Sequence, residues 1–303
     1  GRRIRAGESL VPCGALFPEE AEAGLRVFRA LRAVDVAGAP TLGEISRPWL
    51  LDLVSAIFGS YDPEAGRRLI REVFLLIPKK NGKTTLAACL GLYFLLADGE
   101  PSPLVVFAAA SDEQADLAFG AAKTMVKLSP TLSQLCTSFD KEIVAKDSPG
   151  ARLRRVAAVA GTNDGQNIHA AILDELHEWV GAKGENVWNV LTNGTGARRQ
   201  PLVLQITTAG YDLETVCGRQ YEYGKRVKSG EVDDPRYYFH WNEAPEGADH
   251  RDPAVWEAAN PNFGVTVQAP FFEDQLTKKT ESVFRRYFLN QWVAAAELWL
   301  PYG

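Results

Sequence analysis

The feature that most constrains this chain is an apolar run that stops abruptly at a polar, lysine-rich turn. Residues 73–77 are VFLLI, residues 78–85 are PKKNGKTT, and a long apolar segment follows. A strand, a glycine-containing turn and a helix in this order are typical of a phosphate-binding loop, where backbone N–H groups and the helix N-terminus face an anion. The predicted nucleotide-binding residues are Lys79, Lys80, Asn81, Gly82, Lys83, Thr84 and Thr85.

The residue types within this loop predict individual roles. Lys83 is expected to reach the outer phosphates, and the hydroxyl of Thr84 is expected to bind Mg²⁺. The motif G-x-x-x-x-G-K-[ST] asks for glycine where this chain has Ile77, so the match is incomplete. For the loop alone, the alternative is a lysine-rich surface turn capped by a hydroxyl.

A second segment carries matching chemistry. Residues 170–175 are AAILDE, a short apolar strand that ends in two carboxylates. Asp174 is expected to complete the metal site with Thr84, and Glu175 is expected to polarise the water that attacks the terminal phosphate. The alternative is an ordinary strand end whose acids face solvent or cap the next helix. The two segments together predict Mg²⁺-dependent nucleotide hydrolysis.

Strands and helices alternate along most of the chain. Strands are predicted at 72–77, 104–109, 152–159, 170–174, 202–206 and 237–241. Helices are predicted at 19–34, 47–58, 83–97, 112–127, 185–193, 213–228, 254–259 and 270–290. This alternation predicts an α/β protein with a mainly parallel central sheet covered on both faces. Ligands of such sheets bind beyond the carboxyl ends of the strands, where Lys83 and Asp174 are expected to lie.

The chain divides into three predicted parts. Residues 1–60 form a helical lead-in packed on the core, residues 61–241 form the core itself, and residues 242–303 form a small helical lid or linker subdomain. A length of 303 residues with 46% hydrophobic content is ample for such an arrangement.

Charge and cysteine content exclude several classes. A formal net charge of -5 neither supports nor excludes a DNA partner, so contact with nucleic acid depends on local patches. The four cysteines form no C-x-x-C pair or Cys/His cluster, which argues against structural zinc and a disulfide framework. The longest apolar segment, residues 86–97, is too short to span a bilayer, so no membrane partner is expected.

Further polar residues are candidates of a second rank. Thr207 and Thr208 end an apolar strand and suit a sensor of the terminal phosphate, although local turn chemistry explains them equally well. The basic run Arg152, Arg154 and Arg155 suits an arginine supplied to a neighbouring subunit, or else a solvated strand edge. His177 completes a D-E-x-H string that also occurs in one large helicase group, although a packed or exposed histidine is the commoner outcome.

The motifs KKNGKT at 79–84, ILDELH at 172–177 and ITTAG at 206–210 occur in the order found in one protein family. With them, and with YFLNQW at 287–292, the chain from about residue 45 to 295 resembles the ATPase part of the large terminase subunit of tailed bacteriophages. The resemblance implies a P-loop NTPase fold of the additional-strand, RecA-like type. It also implies a motor that uses ATP and Mg²⁺ to drive double-stranded DNA through a portal into an empty procapsid.

The resemblance further implies partners and a location. The portal protein and the small terminase subunit are expected partners. A homo-oligomeric ring, expected to be a pentamer, would assemble on the procapsid, with a monomer expected for the chain alone. The expected location is the cytoplasm of the infected bacterial host, at the portal.

The resemblance implies a role for each residue at a position that matches the family motifs. Lys83 and Glu175 would be catalytic, Thr84 and Asp174 would hold the metal, and Thr207 and Thr208 would couple hydrolysis to movement. Lys79 is counted with the catalytic residues, although the family usually has arginine there, whose bidentate fork a lysine cannot offer.

Two other departures from the family pattern concern adenine and DNA cleavage. Leu50 follows Pro48 and Trp49, where the family often has the glutamine that contacts adenine. Family members continue into a nuclease domain, and the chain ends at Gly303 before such a motif, so DNA cleavage is not expected. The alternatives are a DExH-type helicase lobe and a non-catalytic scaffold that keeps the fold without turnover.

Overall fold

The computed structural model describes residues 17–157 and 165–293. The helices are α1 (Pro18–Ala30), α2 (Leu42–Ile45), α3 (Pro48–Gly59), α4 (Lys83–Leu96), α5 (Asp112–Leu128), α6 (Pro130–Leu135), α7 (Gly181–Asn193), α8 (Val216–Ser229), α9 (Pro253–Ala259), α10 (Ala269–Lys278) and α11 (Glu281–Phe288). The strands are β1 (Tyr61–Asp62), β2 (Arg67–Arg68), β3 (Glu72–Leu76), β4 (Leu104–Ala109), β5 (Cys136–Ser138), β6 (Glu142–Ala145), β7 (Arg152–Ala157), β8 (Ala170–Asp174), β9 (Leu202–Thr207) and β10 (Tyr237–Trp241).

The central sheet has eight strands in the order β10-β3-β9-β8-β4-β7-β6-β5. The six strands from β10 to β7 run parallel, whereas β7, β6 and β5 pair antiparallel. The prediction of a mainly parallel sheet is confirmed. Because β9 lies between β3 and β8, the chain segments that follow these three strands meet at one edge of the sheet, which we call the carboxyl edge.

Both faces of the sheet are buried by helices. Along β3, Val73 and Leu75 belong to an apolar cluster shared with α1, α3, α4 and α5, whereas Phe74 and Leu76 belong to a second cluster on the opposite face. This alternation reflects the two-residue period of a strand, and the burial of both sets explains why the strand is a continuous apolar run. Gly91 of α4 permits close packing, since a Cβ there would lie 2.4 Å from Cζ of Phe107.

A third apolar cluster lies within residues 244–289, which we call the lid. Trp256, Phe272, Phe284 and Phe288 are buried there and pack ring against ring. The lid follows β10, the strand next to β3, so it begins at the carboxyl edge. The boundaries predicted for the three parts of the chain stay a prediction.

Several predicted elements differ from the observed ones. The helix predicted at 270–290 is two helices, because Thr280 lies between them and its hydroxyl accepts a hydrogen bond from the N–H of Val283 as an N-cap. The helix predicted from 213 begins at Val216. The preceding residue, Thr215, is its N-cap, because the Thr215 hydroxyl accepts a hydrogen bond from the N–H of Gly218. The hairpin of β5 and β6 and the short elements α2, α6, β1 and β2 were not predicted. Residues 158–159 of the predicted strand lie outside the described residues.

Predicted helices also differ from observed ones at their ends. The first ends at Ala30 rather than at 34, and the one predicted from 185 begins at Gly181. Among the helices in 17–157 and 165–293, none combines the length and apolar character needed to cross a membrane.

Candidate nucleotide site

The predicted phosphate-binding loop lies between β3 and α4, at the carboxyl edge. Lys80 and Gly82 have left-handed backbone conformations, with φ of 69° and 78°. Gly82 immediately precedes the first helical residue, Lys83, so its conformation turns the chain into α4. The loop therefore directs the helix N-terminus at the edge where a ligand of a parallel sheet binds.

The Lys83 side chain is folded over its own loop. Its Nζ donates hydrogen bonds to the carbonyl oxygens of Ile77 at 3.0 Å and Pro78 at 3.1 Å, and to Oγ1 of Thr208 at 3.1 Å. Burial lowers the pKa of the ammonium group, while Glu175 and Asp174 oppose that effect. Because this ammonium group already lies at the carboxyl edge, it is in place to bind an anion there.

Asp174 ends β8, and its carboxylate is buried. Oδ1 accepts a hydrogen bond from the N–H of Glu175 at 2.9 Å. Burial and the neighbouring charge of Glu175 raise the pKa of Asp174 to about 6, despite the opposing effect of Lys83. A buried carboxyl that resists ionisation in this way gains from a bound cation.

Glu175 has a left-handed backbone, with φ of 48°, which is uncommon for a residue other than glycine. Burial disfavours its ionised form, but Lys83 and a hydrogen bond with His177 outweigh burial and lower its pKa to about 2. The two adjacent carboxyls therefore differ: Glu175 stays ionised at neutral pH and can accept a proton, whereas Asp174 ionises only above pH 6 or so.

Thr208 connects the loop to the acidic pair. Its hydroxyl accepts from Lys83 and lies 3.5 Å from Oε2 of Glu175, at the limit of a hydrogen bond. Both Thr207 and Thr208 are fully buried. The structure thus brings together four of the predicted site residues, which lie at or beyond the carboxyl ends of the three neighbouring strands β3, β8 and β9: Lys83, Asp174, Glu175 and Thr208.

His177 is a site residue whose importance the sequence did not indicate. Its Nδ1 lies 3.2 Å from Oε2 of Glu175 and 3.1 Å from Oγ1 of Thr207, and its Nε2 lies 2.9 Å from Oε1 of Glu178. Burial lowers the pKa of the imidazole, but the two glutamates outweigh it and raise the pKa overall. The D-E-x-H string includes this residue, but in the sequence it indicates only the helicase alternative or a packed or exposed histidine, not a contact with Glu175.

Thr84 and Asp174 fit a magnesium site by their chemistry. Mg²⁺ in nucleotide sites is bound by one or two protein oxygen ligands together with phosphate oxygens and waters. The described residues contain no group of three or more His, Cys, Asp or Glu suited to a metal ion. The buried carboxyl of Asp174 supplies the required oxygen donor.

Asn81 ties the loop to the lid. Its Nδ2 donates to Oδ1 of Asn260 at 2.8 Å, and its Oδ1 accepts from the N–H of Asn262 at 2.9 Å. The Asn81 carbonyl also accepts from Nδ2 of Asn262 at 2.9 Å. The side chain of Asn81, a predicted nucleotide-binding residue, is engaged with the lid, and its role in nucleotide binding stays a prediction. Asn260 and Asn262 were missed, because polar residues of a turn carry no local signal of burial.

The other predicted loop residues have individual surroundings. Lys79 donates its N–H to the carbonyl of Tyr287 at 2.9 Å, and its Nζ lies 4.0 Å from the centroid of the Tyr287 ring. Lys80 is exposed, and its carbonyl accepts from the hydroxyl of Thr266. The hydroxyl of Thr85 donates to Asp35 at 2.6 Å, so it must leave this partner to reach a phosphate.

The three candidate arginines lie on β7, which β9, β8 and β4 separate from β3. Arg152 is at the start of β7, opposite the carboxyl edge, and lies 3.8 Å from Glu142. Arg155 pairs with Asp112 at 3.3 Å and with Asp116 at 3.2 Å. Arg154 is half-buried. The structure therefore does not bring these arginines to the site of their own chain.

Comparison with known proteins adds family evidence. The family model "Terminase large subunit, ATPase domain" matches residues 48–226. The chain is 30% identical to the large terminase subunit of Enterobacteria phage HK97 over 255 residues, an alignment that covers 82% of this chain and 48% of that protein. It is also 35% identical to protein YmfN of Escherichia coli K12 over 137 residues, which make up 44% of this chain and 30% of that protein. The chain spans about half the length, or less, of these curated relatives.

Solved structures agree. The crystal structure of the HK97 bacteriophage large terminase matches with a TM-score of 0.74 and 26% identity, covering 90% of this chain and 55% of that chain. The large terminase ATPase domain of Thermus phage P74-26 matches with a TM-score of 0.53 and 14% identity, covering 80% and 98%, and supports the fold alone. These matches favour the terminase interpretation over the helicase alternative. The chain therefore belongs to the family of the ATPase domain of the terminase large subunit.

Proposed function

We propose that this chain hydrolyses ATP with Mg²⁺, and that it serves the motor which drives double-stranded DNA through a portal into a procapsid. The observation that carries the hydrolysis is the meeting of Lys83, Thr208, Glu175 and Asp174 at the carboxyl edge, where Thr208 touches both Lys83 and Glu175. The family membership supports the packaging role.

Each residue has a role in the proposed reaction. The ammonium group of Lys83 exchanges the carbonyls of Ile77 and Pro78 for the outer phosphates and stabilises their charge. Glu175, held ionised by Lys83 and His177, accepts a proton from the attacking water. Thr84 and Asp174 hold Mg²⁺, which supplies charge neutralisation of the phosphate oxygens when bound.

Lys79, Lys80, Asn81, Gly82 and Thr85 complete the proposed nucleotide site, chiefly through the backbone of the loop. Thr207 and Thr208 form the proposed coupling element, because they join the loop lysine to the catalytic glutamate and to His177. Loss of the terminal phosphate would change the partners of Lys83 and thereby the surroundings of Thr208.

The remaining elements of the proposal concern assembly. We infer a homo-oligomeric ring, a pentamer on the procapsid and a monomer for the chain alone, that works with the portal protein and the small terminase subunit in the cytoplasm of the infected host. An arginine from the next subunit would stabilise the charge of the transition state. Arg152, Arg154 and Arg155 are the candidates, since all three lie away from their own site.

The test is Mg²⁺-dependent ATP turnover across a range of protein concentrations. Wild type is compared with Lys83→Ala and Glu175→Gln, with Glu185→Gln as the control because Glu185 is an exposed carboxylate on α7 that pairs with Arg219. We expect turnover that rises faster than linearly with protein and is abolished in the two site variants but not in the control. ATP binding without turnover, even in concentrated protein, would support the non-catalytic scaffold instead.

A further inference from the structure

Arg286 of α11 is a buried cation that lies against two tyrosine rings. The residue is 2% exposed, and its guanidinium carbon lies 3.8 Å from the centroid of the Tyr211 ring and 4.2 Å from that of the Tyr287 ring. Cation–π contacts of this kind stabilise a charge only partly. An arginine is rarely this buried unless a carboxylate or another anion pairs with it.

The polar contacts of Arg286 are few. Nη1 lies 3.4 Å from the carbonyl oxygen of Ala209, the guanidinium also donates a hydrogen bond to the hydroxyl of Tyr211, and Nε has no hydrogen-bond partner among the described residues. Across 17–157 and 165–293, the guanidinium takes part in no close ion pair, although it lowers the pKa of Glu178 through its charge, whereas the adjacent Arg285 pairs with Glu281 at 2.7 Å. The guanidinium therefore retains unused donors in an interior position.

The location of Arg286 joins the lid to the nucleotide site. Ala209, whose carbonyl it contacts, directly follows Thr208, whose hydroxyl is bonded to Lys83. The next residue of α11, Tyr287, accepts the N–H of Lys79 from the phosphate-binding loop. Arg286 is thus flanked by the two segments that would surround the outer phosphates.

We propose that Arg286 binds the terminal phosphate of ATP, so that the lid distinguishes ATP from ADP within one subunit. This inference rests on the proposed ATPase function and deepens it. A terminal phosphate offers the anionic, multiple-acceptor partner that a guanidinium fork fits and that this one lacks in the described structure. The arginine would supply from the lid the bidentate contact that Lys79 in the loop cannot make.

The test compares the affinities of this chain for ATPγS and for ADP, both with Mg²⁺. We expect Arg286→Lys and Arg286→Met to weaken ATPγS binding by about 10- to 100-fold, the effect of losing hydrogen bonds to a charged group. ADP affinity should stay within about twofold, since ADP lacks the contacted phosphate. Arg285→Lys is the control, because Arg285 shares the helix but pairs with Glu281. If Arg286→Met does not fold, Arg286→Lys carries the test.

The result that would overturn the inference is an unchanged ratio of the ATPγS and ADP affinities in Arg286→Lys. Such a result would make Arg286 a packing residue and would leave the ATPase proposal intact. Wild-type protein that binds neither nucleotide would instead overturn the ATPase proposal, and the inference with it. The two failures are therefore distinguishable in a single titration series.

Discussion

His177 and Thr207 are joined twice, once through the backbone and once through the ring. The N–H of His177 donates to Oγ1 of Thr207 at 3.0 Å, and Nδ1 lies 3.1 Å from the same oxygen. Because the ring also lies beside Glu175, His177 links the end of β9 to the proposed catalytic base, in addition to the direct contact between Thr208 and Glu175. The proposed coupling element is therefore joined to the base at two points.

The first prediction concerns Thr207. Thr207→Val removes the acceptor of a buried N–H, which costs about 1–3 kcal/mol of the free energy of unfolding. ATP turnover should also fall, roughly tenfold or more, because His177 loses the hydroxyl that positions its ring beside Glu175. Thr207→Ser keeps the hydroxyl and is the control. Urea unfolding and steady-state turnover check both effects, and equal stability of the valine and serine variants would contradict the role of this bond.

The second prediction concerns Asp174 and Mg²⁺. Its pKa is raised from 3.8 to about 6, so the native state binds more protons than the unfolded state between these values, and stability falls as pH rises through that window. Above it, Asp174→Asn should stabilise the metal-free protein by up to about 3 kcal/mol. Millimolar Mg²⁺ should raise the Tm of wild type but not of the variant. A variant less stable than wild type at pH 8 without metal would contradict this.

The third prediction concerns the charge of His177. Its pKa is raised above 6.5, so its stabilising contribution is complete below pH 6.5 and is lost as pH rises through the raised value. Glu178→Gln removes the carboxylate 2.9 Å from Nε2 and should lower the pKa of the ring. NMR titration of the imidazole protons measures this directly. A ring that titrates identically in the two proteins would show that Glu178 does not act on it.

The fourth prediction concerns the contact between loop and lid. Asn81→Ala leaves Oδ1 of Asn260 and the backbone N–H of Asn262 without the Asn81 side chain as partner, and we expect a loss of about 2–4 kcal/mol in the free energy of unfolding. The Michaelis constant for ATP should rise, because the loop is held less firmly by the lid. Asn186→Ala, at an exposed position of α7, is the control. Unfolding and turnover measurements that do not separate the two variants would contradict this prediction.

The sequence predicted the sheet well for a physical reason. Strands buried on both faces are continuous apolar runs with sharp polar ends, as in β3 and β8, and their carboxyl ends are where a ligand binds. That rule predicts the meeting of Lys83 with Asp174, and Glu175 follows Asp174 directly in the chain. Thr207 and Thr208 are predicted only as second-rank candidates, because turn chemistry explains hydroxyls at a strand end equally well.

The contacts of the lid could not be predicted in this way. Asn81 meets Asn260 and Asn262 across a sequence separation of about 180 residues, and no local pattern marks a turn asparagine as buried. The burial of Arg286 could not be predicted for a similar reason, because an arginine on an amphipathic helix is usually solvated. Long-range polar contacts depend on tertiary packing, which periodicity does not describe.

Asn290 joins the point where the chain enters the lid to the point where it leaves. This buried residue has φ of 58°, accepts the N–H of Ala209 at 2.8 Å and donates to the carbonyl of Asn242 at 2.7 Å. The chain therefore leaves the lid beside the point where it entered, and its exit is bonded to the segment after Thr208. Because the entry and the exit are joined through Asn290, we expect a rearrangement at Ala209 to displace both ends of the lid together.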